Sequence, residues 1–287
     1  MASDFALLDG GLSTALEELG NSLNTSLWSG ELLRTAPDQI RAAHKAYVDA
    51  GAQIVITSSY QISFPGCIAR GWSEDDVVKA LQLSVQLARE SGAPKVAASV
   101  GPYGAYLADG SEYRGNYGVS EDELRTFHKR RLEILIATKP DYLAVETIPD
   151  MKEARVVLEL LAELKNTIPV WISFSCKEGA LLNSGEKFAD AAKMAKELGA
   201  DFVGINCTAP ELISELLKSA TGYGPFVIYP NSGRRWNAEL KVWEGAPAAL
   251  LQEDMDRWQS EGGAIIGGCC GIGPQAISEV RFPNTHA

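Results

Sequence analysis

The chain has 287 residues, 46% of them hydrophobic, so it is long enough to bury a large core. Its 26 basic and 37 acidic residues give a formal net charge of −11, and no basic run is present. This balance argues against nucleic acid or an anionic membrane surface as a partner. No apolar stretch reaches the roughly 18 residues of a membrane span, and the first residues do not resemble a signal peptide. We therefore expect a cytoplasmic protein.

Short apolar runs rich in β-branched residues recur along the chain and predict strands. These runs are apolar throughout, which is typical of a parallel sheet that is covered on both faces. The predicted strands are FALLD (5–9), QIVITSS (53–59), KVAASV (95–100), DYLAVE (141–146), VWISFS (170–175), DFVGIN (201–206), FVIYP (226–230) and AIIGG (264–268).

Longer amphipathic stretches separate these runs and predict helices, for example at 37–52, 77–93, 121–139 and 151–166. Gly51, Gly92 and Gly199 fit helix C-termini. This alternation over the whole length predicts an α/β fold, a single (β/α)8 TIM-type barrel, although a doubly wound open sheet has the same local pattern.

The residues that follow the predicted strands favour the barrel. Nearly every strand ends, on its C-terminal side, in polar, glycine or cysteine residues. In a barrel all these ends meet at one mouth, where the active sites of this fold lie, whereas an open sheet would distribute them along an edge. No linker or repeat interrupts the pattern, so residues 1–287 are predicted to form one barrel domain.

Two adjacent cysteines, Cys269 and Cys270, lie in the glycine-rich run AIIGGCCGIG at 264–273. Neighbouring side chains on a strand point to opposite faces, so a shared role requires a bend that the glycines permit. The pair could be inert buried thiols, a vicinal disulfide or two ligands of one metal ion.

Cys207 ends another strand at the same mouth, and three thiolates there would suit zinc with one position left free. From the residues alone, metal ligation and simple burial remain equally open. Cys67 and Cys176 are predicted to be spectators.

Acidic residues end two otherwise apolar strands. Asp9 and Glu146 could each be a helix cap or an ion-pair partner, but together at one mouth they could hold an ammonium group. Gly10 and Gly11 would expose backbone N–H groups beside Asp9, a place for a carboxylate. These features fit an amino-acid substrate. Three tyrosines could supply ring faces to the mouth or pack at the rim: Tyr60, Tyr103 and Tyr229.

The chain has only three histidines, and this scarcity narrows the chemistry: His44, His128 and His286. His44 and His128 fall within helical patterns and are predicted to be surface or packing residues. None has neighbours that would make a catalytic triad or a histidine-ligated metal site, which argues against a serine hydrolase.

Seven motifs, in order and over essentially the whole chain, together resemble the homocysteine S-methyltransferases. They are LLDGGLSTALEELG (7–20), SSYQ (58–61), SVGPYGAYLADGSEYRG (99–115), ET (146–147), GINC (204–207), YPNSG (229–233) and IGGCCG (266–271). The third motif resembles the subgroup that takes its methyl group from S-methylmethionine, sometimes also from S-adenosylmethionine. The resemblance implies a free-standing enzyme with two small-molecule substrates, homocysteine and a methyl-sulfonium donor.

The resemblance also implies roles for individual residues. Three cysteines are implied to bind Zn²⁺: Cys207, Cys269 and Cys270. Asp9 and Glu146 are implied to hold the homocysteine amino group, and the backbone at Gly10 and Gly11 to meet its carboxylate. Five further residues belong to the matched motifs and are expected to act in catalysis (Tyr60, Asn206, Asn231) or in substrate binding (Thr147, Tyr103).

Other classes of function stay open at this stage. Betaine or another donor, and selenohomocysteine as acceptor, would suit the same site. A zinc hydrolase or deaminase would activate water, but such sites usually include histidine ligands and a general base. A zinc-storing or redox-sensing barrel would use the same cysteines and leave Asp9 and Glu146 unexplained. The sequence indicates no oligomeric state.

Overall fold

Eight parallel strands form the centre of the chain, in a computed structural model that describes residues 5–23, 25, 27–233, 235–237, 242–244 and 250–281. Each strand pairs with its neighbours in chain order, and a bridge between Leu8 and Ile54 joins the first strand to the second and closes the ring. The strands are β1 (Ala6–Leu7), β2 (Ile54–Ile56), β3 (Lys95–Val100), β4 (Tyr142–Ile148), β5 (Val170–Phe174), β6 (Phe202–Asn206), β7 (Phe226–Tyr229) and β8 (Gly263–Ile266).

Helices connect the strands on the outside of the barrel. The described residues form α1 (Leu12–Glu18), α2 (Leu32–Thr35), α3 (Pro37–Asp49), α4 (Phe64–Ile68), α5 (Glu74–Glu90), α6 (Tyr103–Leu107), α7 (Glu121–Ala137), α8 (Met151–Glu163), α9 (Phe188–Glu197), α10 (Ile213–Ser219), α11 (Gln252–Ser260) and α12 (Pro274–Glu279). Three short 3₁₀ helices span Trp28–Glu31, Ser111–Tyr113 and Pro210–Leu212. Two antiparallel hairpins pair Cys176–Lys177 with Leu181–Leu182 and Arg235–Asn237 with Val242–Glu244.

Local sequence signals account for where the long helices begin and end. Ser73 and Ser120 each accept a hydrogen bond from the third helical residue, whose carboxylate in turn accepts one from the cap, and these two capping boxes start α5 and α7. Gly51, Gly92 and Gly199 follow helices with φ of 103°, 86° and 90°, as expected for helix C-termini.

The core has two layers, which follow from the alternation of side chains along the strands. The larger layer lies between the sheet and the helices. The smaller layer fills the barrel interior and includes Trp171, Tyr229 and Ile265, all almost completely buried. The predicted (β/α)8 barrel is thus confirmed, and the C-terminal ends of its strands meet at one mouth. Among the described residues, no helix combines the length and the apolar character that a bilayer crossing requires.

Candidate active site and metal centre

Three cysteine sulfurs meet at the mouth of the barrel. Cys207 directly follows β6, and its φ of 46° turns the chain sharply at that point. β8 ends at Ile266, so Cys269 and Cys270 lie beyond the strand, in a bend where Gly271 has a φ of 82°. The Cys270 sulfur lies 3.7 Å from that of Cys207 and 4.0 Å from that of Cys269. All three sulfurs lie within 4.8 Å of one another.

This geometry argues against one of the three interpretations of the adjacent pair, the vicinal disulfide. The five cysteines are free, and 4.0 Å between the Cys269 and Cys270 sulfurs is about twice a disulfide bond. The glycine-rich bend turns both side chains towards Cys207, so they share one site although they are neighbours in sequence. Cys67 and Cys176 are buried and lie outside the cluster. Burial raises the pKa of both of these thiols, to about 11 for Cys67.

The three thiols influence one another's ionisation. Hydrogen bonds from Cys269 and Cys270 hold the pKa of the Cys207 thiol well below its usual value. The hydrogen bond with Cys207 raises the pKa of the other two thiols, because both would add negative charge to the same space. A soft cation surrounded by these sulfurs would remove that repulsion, and thiolates are the ligands that such cations prefer.

Close packing between the loop after β1 and the loop after β8 fixes the cysteine bend. The Tyr47 hydroxyl lies 2.7 Å from the Gly11 carbonyl oxygen and 2.9 Å from that of Ile272. A side chain on Gly11 would meet the Cys269 carbonyl at 2.7 Å, so glycine is required there. The Gly11 N–H donates to the Ile272 carbonyl. This corrects the expectation that it is exposed for a ligand, and only Gly10 retains that possibility.

A bulge in β4 brings Glu146 and Thr147 to the cavity together. The pairing of β4 with β5 shifts register between Val145 and Ile148, and Thr147 has a φ of 59°. Such a bulge redirects side chains, so that two consecutive residues can face one site. The Asn206 side chain holds it: its oxygen accepts from the Thr147 N–H at 2.8 Å and its amide donates to the Thr147 hydroxyl at 2.7 Å.

Glu146 lies close enough to Asp9 to affect its ionisation. Burial, assisted by the nearby Glu146, raises the pKa of Asp9 well above its usual value. Burial also raises the pKa of Glu146 to about 7, although its carboxylate accepts a hydrogen bond from the Ser99 hydroxyl. One Asp9 oxygen accepts from the Ile56 N–H at 2.8 Å, and the other is buried without a hydrogen-bond partner. A cation bound between these acids would favour their charged forms.

A cavity opens in front of the cysteines. The described residues that line it are Gly10, Gly11, Leu12, Ser13, Trp28, Ser29, Ile56, Thr57, Ser58, Tyr60, Glu112, Tyr113, Glu146, Thr147, Cys207, Tyr229, Gly268, Cys269 and Cys270. Within this set two residues are carboxylic acids and none is Lys, Arg or His. The cavity therefore offers sulfur, carboxylate and aromatic groups, and is suited to a positively charged ligand.

The comparison with known families fits this site. Residues 6–282 match the family model described as homocysteine S-methyltransferase. The chain belongs to the homocysteine S-methyltransferase family. It is therefore a transferase, and the resemblance read from its motifs is confirmed.

Individual homocysteine S-methyltransferases are similar over nearly the full length. YbgG of Bacillus subtilis is 44% identical, over 96% of this chain and 92% of that protein. Homocysteine S-methyltransferase 1 of Arabidopsis thaliana is 40% identical, with the same coverage of 96% and 92%. The metallated form of the homocysteine methyltransferase MmuM from Escherichia coli superposes with a TM-score of 0.85 at 37% identity, over 96% of this chain and 94% of that chain.

Several predicted site residues of this homocysteine S-methyltransferase lie just behind the cavity wall. Asp9, Asn206 and Asn231 are buried and are not among the described lining residues. Asn231 donates to the Cys207 carbonyl oxygen at 3.2 Å and accepts from the Gly233 N–H at 2.8 Å. Asn206 and Asn231 thus contact the backbone that positions Thr147 and Cys207.

Tyr103 lies apart from the cavity, where its ring packs against three neighbouring aromatic rings: Tyr106, Tyr117 and Phe127. Its N–H donates to Glu153 at 2.6 Å. In place of Tyr103, the SEYRG end of the same motif contributes Glu112 and Tyr113 to the cavity wall, which Cys207 also lines. Sequence reasoning also missed Trp28, which no motif marked.

The histidines are placed as follows. His128 is fully buried, which agrees with a packing position and not with a surface one. Its Nδ1 lies 2.8 Å from the Arg131 guanidinium, and its Nε2 lies 2.7 Å from Glu153. Arg131 also donates to the Gly101 carbonyl. This network supports the loop after β3. His44 is buried as a packing residue, and His286 lies outside the described residues.

Proposed function

We propose that this methyltransferase holds Zn²⁺ with Cys207, Cys269 and Cys270, and transfers a methyl group from a sulfonium donor to the thiol of homocysteine. S-methylmethionine is the expected donor, with S-adenosylmethionine as a further one. The observation that carries the proposal is the meeting of three free sulfurs in a cavity that also contains carboxylates and aromatic rings.

The sulfur positions suit zinc. In a tetrahedral site with Zn–S bonds of about 2.3 Å, the sulfurs lie about 3.8 Å apart. The separations of 3.7 and 4.0 Å in the cluster are close to this value. Three protein ligands leave one position for a substrate sulfur, which is the arrangement of catalytic rather than structural zinc. When bound, zinc would take up the homocysteine sulfur and keep it as a nucleophilic thiolate at neutral pH.

The residues around the cluster are suited to hold homocysteine. Glu146 lines the cavity, and the unpaired oxygen of Asp9 lies buried near it, so the two acids together would bind the ammonium group. Gly10 lines the cavity beside them, and its backbone N–H would meet the substrate carboxylate. This arrangement would point the thiol towards the cysteines.

For the methyl donor, the enzyme has to position the methyl group, and it does not have to supply a proton. A sulfonium leaves as a neutral thioether, so no general acid has to protonate it. This agrees with a cavity whose described lining contains no histidine. Tyr60 and Tyr113 present aromatic groups that favour a nearby positive charge. Holding the two sulfurs and the methyl carbon in line would supply the remaining rate enhancement.

A donor panel tests the proposal. Zinc-loaded protein is mixed with homocysteine and, separately, with S-methylmethionine, S-adenosylmethionine and betaine, and methionine formation is measured together with zinc content. We expect about one zinc per chain and the highest kcat/KM with S-methylmethionine. A preference for betaine would overturn the sulfonium assignment. Full activity in a metal-free preparation would overturn the zinc assignment.

A further inference from the structure

Glu112 is a second carboxylic acid in the cavity wall, and the proposed binding of homocysteine gives it no role. It lies in the 3₁₀ helix Ser111–Tyr113, lines the cavity and is only 6% exposed. Its Oε2 is buried without a hydrogen-bond partner. An unpaired buried carboxylate oxygen is costly, because its hydration is lost and nothing replaces it. Burial accordingly raises the pKa of Glu112 to about 7, a cost that a bound cation would offset.

Contacts with neighbouring residues hold Glu112 in this buried position. The Ser175 hydroxyl donates to the Glu112 carbonyl oxygen at 2.9 Å. Gly104 packs so closely under the turn that a Cβ there would lie 2.5 Å from the Glu112 nitrogen. The neighbouring Arg114 does not neutralise it with an ion pair among the described side chains, since Arg114 bonds Asp109 at 3.2 Å on the surface.

The position of Glu112 points to the donor rather than to homocysteine. Glu112 and the next residue, Tyr113, line the cavity together with Cys207 and Tyr60. The charge of Cys207 contributes to the raised pKa of Glu112. Glu112 therefore shares the cavity wall with the cysteine cluster and the aromatic rings. Glu146 also lies near Cys207, but it acts in addition on Asp9, with which it would hold the homocysteine ammonium group. A second negative group at this place suits the positive sulfur of the donor.

We propose that Glu112 is the residue that recognises the sulfonium charge of the methyl donor. The inference rests on the proposed function. During transfer, the bond from the donor sulfur to the methyl carbon breaks, and its electron pair stays on that sulfur, which becomes neutral. The homocysteine thiolate forms the new bond to carbon and loses its negative charge. The attraction from Glu112 is thus strongest before transfer and fades in the transition state.

This loss of charge predicts which kinetic constant Glu112 controls. An interaction that is weaker in the transition state than in the bound substrate strengthens binding without speeding the chemical step. Glu112→Gln should raise the KM for S-methylmethionine about tenfold and leave kcat unchanged or slightly higher. Glu112→Asp, which keeps the charge, should recover part of the affinity. Trimethylsulfonium, which has no ammonium group, should inhibit the Gln variant about tenfold more weakly than the parent.

The controls separate charge recognition from a structural role. Zinc content and the KM for homocysteine should stay near the parent values in Glu112→Gln. Glu178→Gln, which removes an exposed acid of the same type, should match the parent in every constant. An unchanged donor KM and trimethylsulfonium inhibition in Glu112→Gln, or a parallel rise in the homocysteine KM, would overturn the inference. Absence of transfer from any sulfonium by the parent enzyme would instead overturn the proposed function.

Discussion

Asn206 and Thr147, which lie on two barrel strands that are not adjacent, are joined by a pair of hydrogen bonds. Thr147 has the positive φ that costs a non-glycine residue of the order of 1 kcal/mol or more, and the fully buried Asn206 amide stabilises that conformation. Glu146 is the preceding residue. The direction of its carboxylate into the cavity therefore depends on a side chain that is not among the described residues lining the cavity.

Replacement of Asn206 by alanine should relax the bulge of β4. The buried Thr147 N–H would lose its acceptor, which costs about 2 kcal/mol of unfolding free energy. Glu146 would lose its orientation, and we expect the KM for homocysteine to rise about tenfold while kcat changes less. Chemical denaturation and steady-state kinetics measure the two effects. Asn206→Asp keeps an acceptor for the N–H and should lie between the parent and the alanine variant. A stability loss with an unchanged KM would contradict the coupling.

Replacement of Cys269 by serine should remove both the metal and the activity. Two sulfurs would remain from the cluster, and a hydroxyl is a poor ligand for a soft cation. We expect zinc content to fall well below one per chain and methionine formation to fall at least a hundredfold, measured by metal analysis and assay on the same sample. Cys176→Ser is the matched control, because Cys176 is buried outside the cluster and should leave zinc content unchanged. Equal metal loss in both variants would count against the cluster.

Replacement of Glu146 by glutamine should separate substrate binding from metal binding. Glutamine keeps the size of the side chain and can still hydrogen-bond the Ser99 hydroxyl, so the bulge should persist. The lost charge would weaken the attraction to an ammonium group, and we expect the KM for homocysteine to rise at least tenfold with zinc content within a tenth of the parent. Asp9→Asn should act in the same direction. A proportional fall of zinc in either variant would show that the acids support the metal instead.

The alternation of apolar strands and amphipathic helices was sufficient to predict the barrel, because each element carries its own periodicity. The cysteine cluster followed from the barrel, since strand ends at one mouth must lie close together. The bulge at Glu146 and Thr147 could not be predicted in the same way. The bulge depends on Asn206, which is 59 residues away in the chain. It also extends past residue 146, where the predicted strand ends.

Tyr103 was predicted to bind substrate, but Tyr113 lines the cavity in its place, for a similar reason. Both tyrosines lie in one long motif after β3, and their types are identical, so sequence alone gives no reason to prefer the second. Contacts with residues distant in the chain determine which tyrosine lines the cavity. The Glu153 carboxylate accepts a hydrogen bond from the Tyr103 N–H, and the Ser175 hydroxyl donates to the turn that contains Glu112 and Tyr113. The motif was sufficient to locate the loop, whereas the residue that enters the cavity depended on the fold.

His44 gives a pH dependence of stability that is independent of catalysis. It is fully buried in α3, neither ring nitrogen has a hydrogen-bond partner, and burial lowers its pKa to about 4. The unfolded chain therefore binds a proton at this residue below pH 6.5 while the folded chain does not, so stability is fully present above that pH and falls as the pH drops towards 4.

The expected loss from His44 is about 2 kcal/mol between pH 7.5 and 5, and about 3 kcal/mol once the pH is below the folded pKa. Replacement by leucine should remove this part of the slope and, because no hydrogen bond is lost, should keep or raise the stability at pH 7.5. Urea unfolding of both proteins at a series of pH values measures the difference. Glu146 and Glu153, whose pKa values burial raises to about 7, contribute slopes of the opposite sign, but they are present in both proteins and cancel. Parallel curves for the two proteins would show that His44 is already charged, or is hydrated, in the folded state.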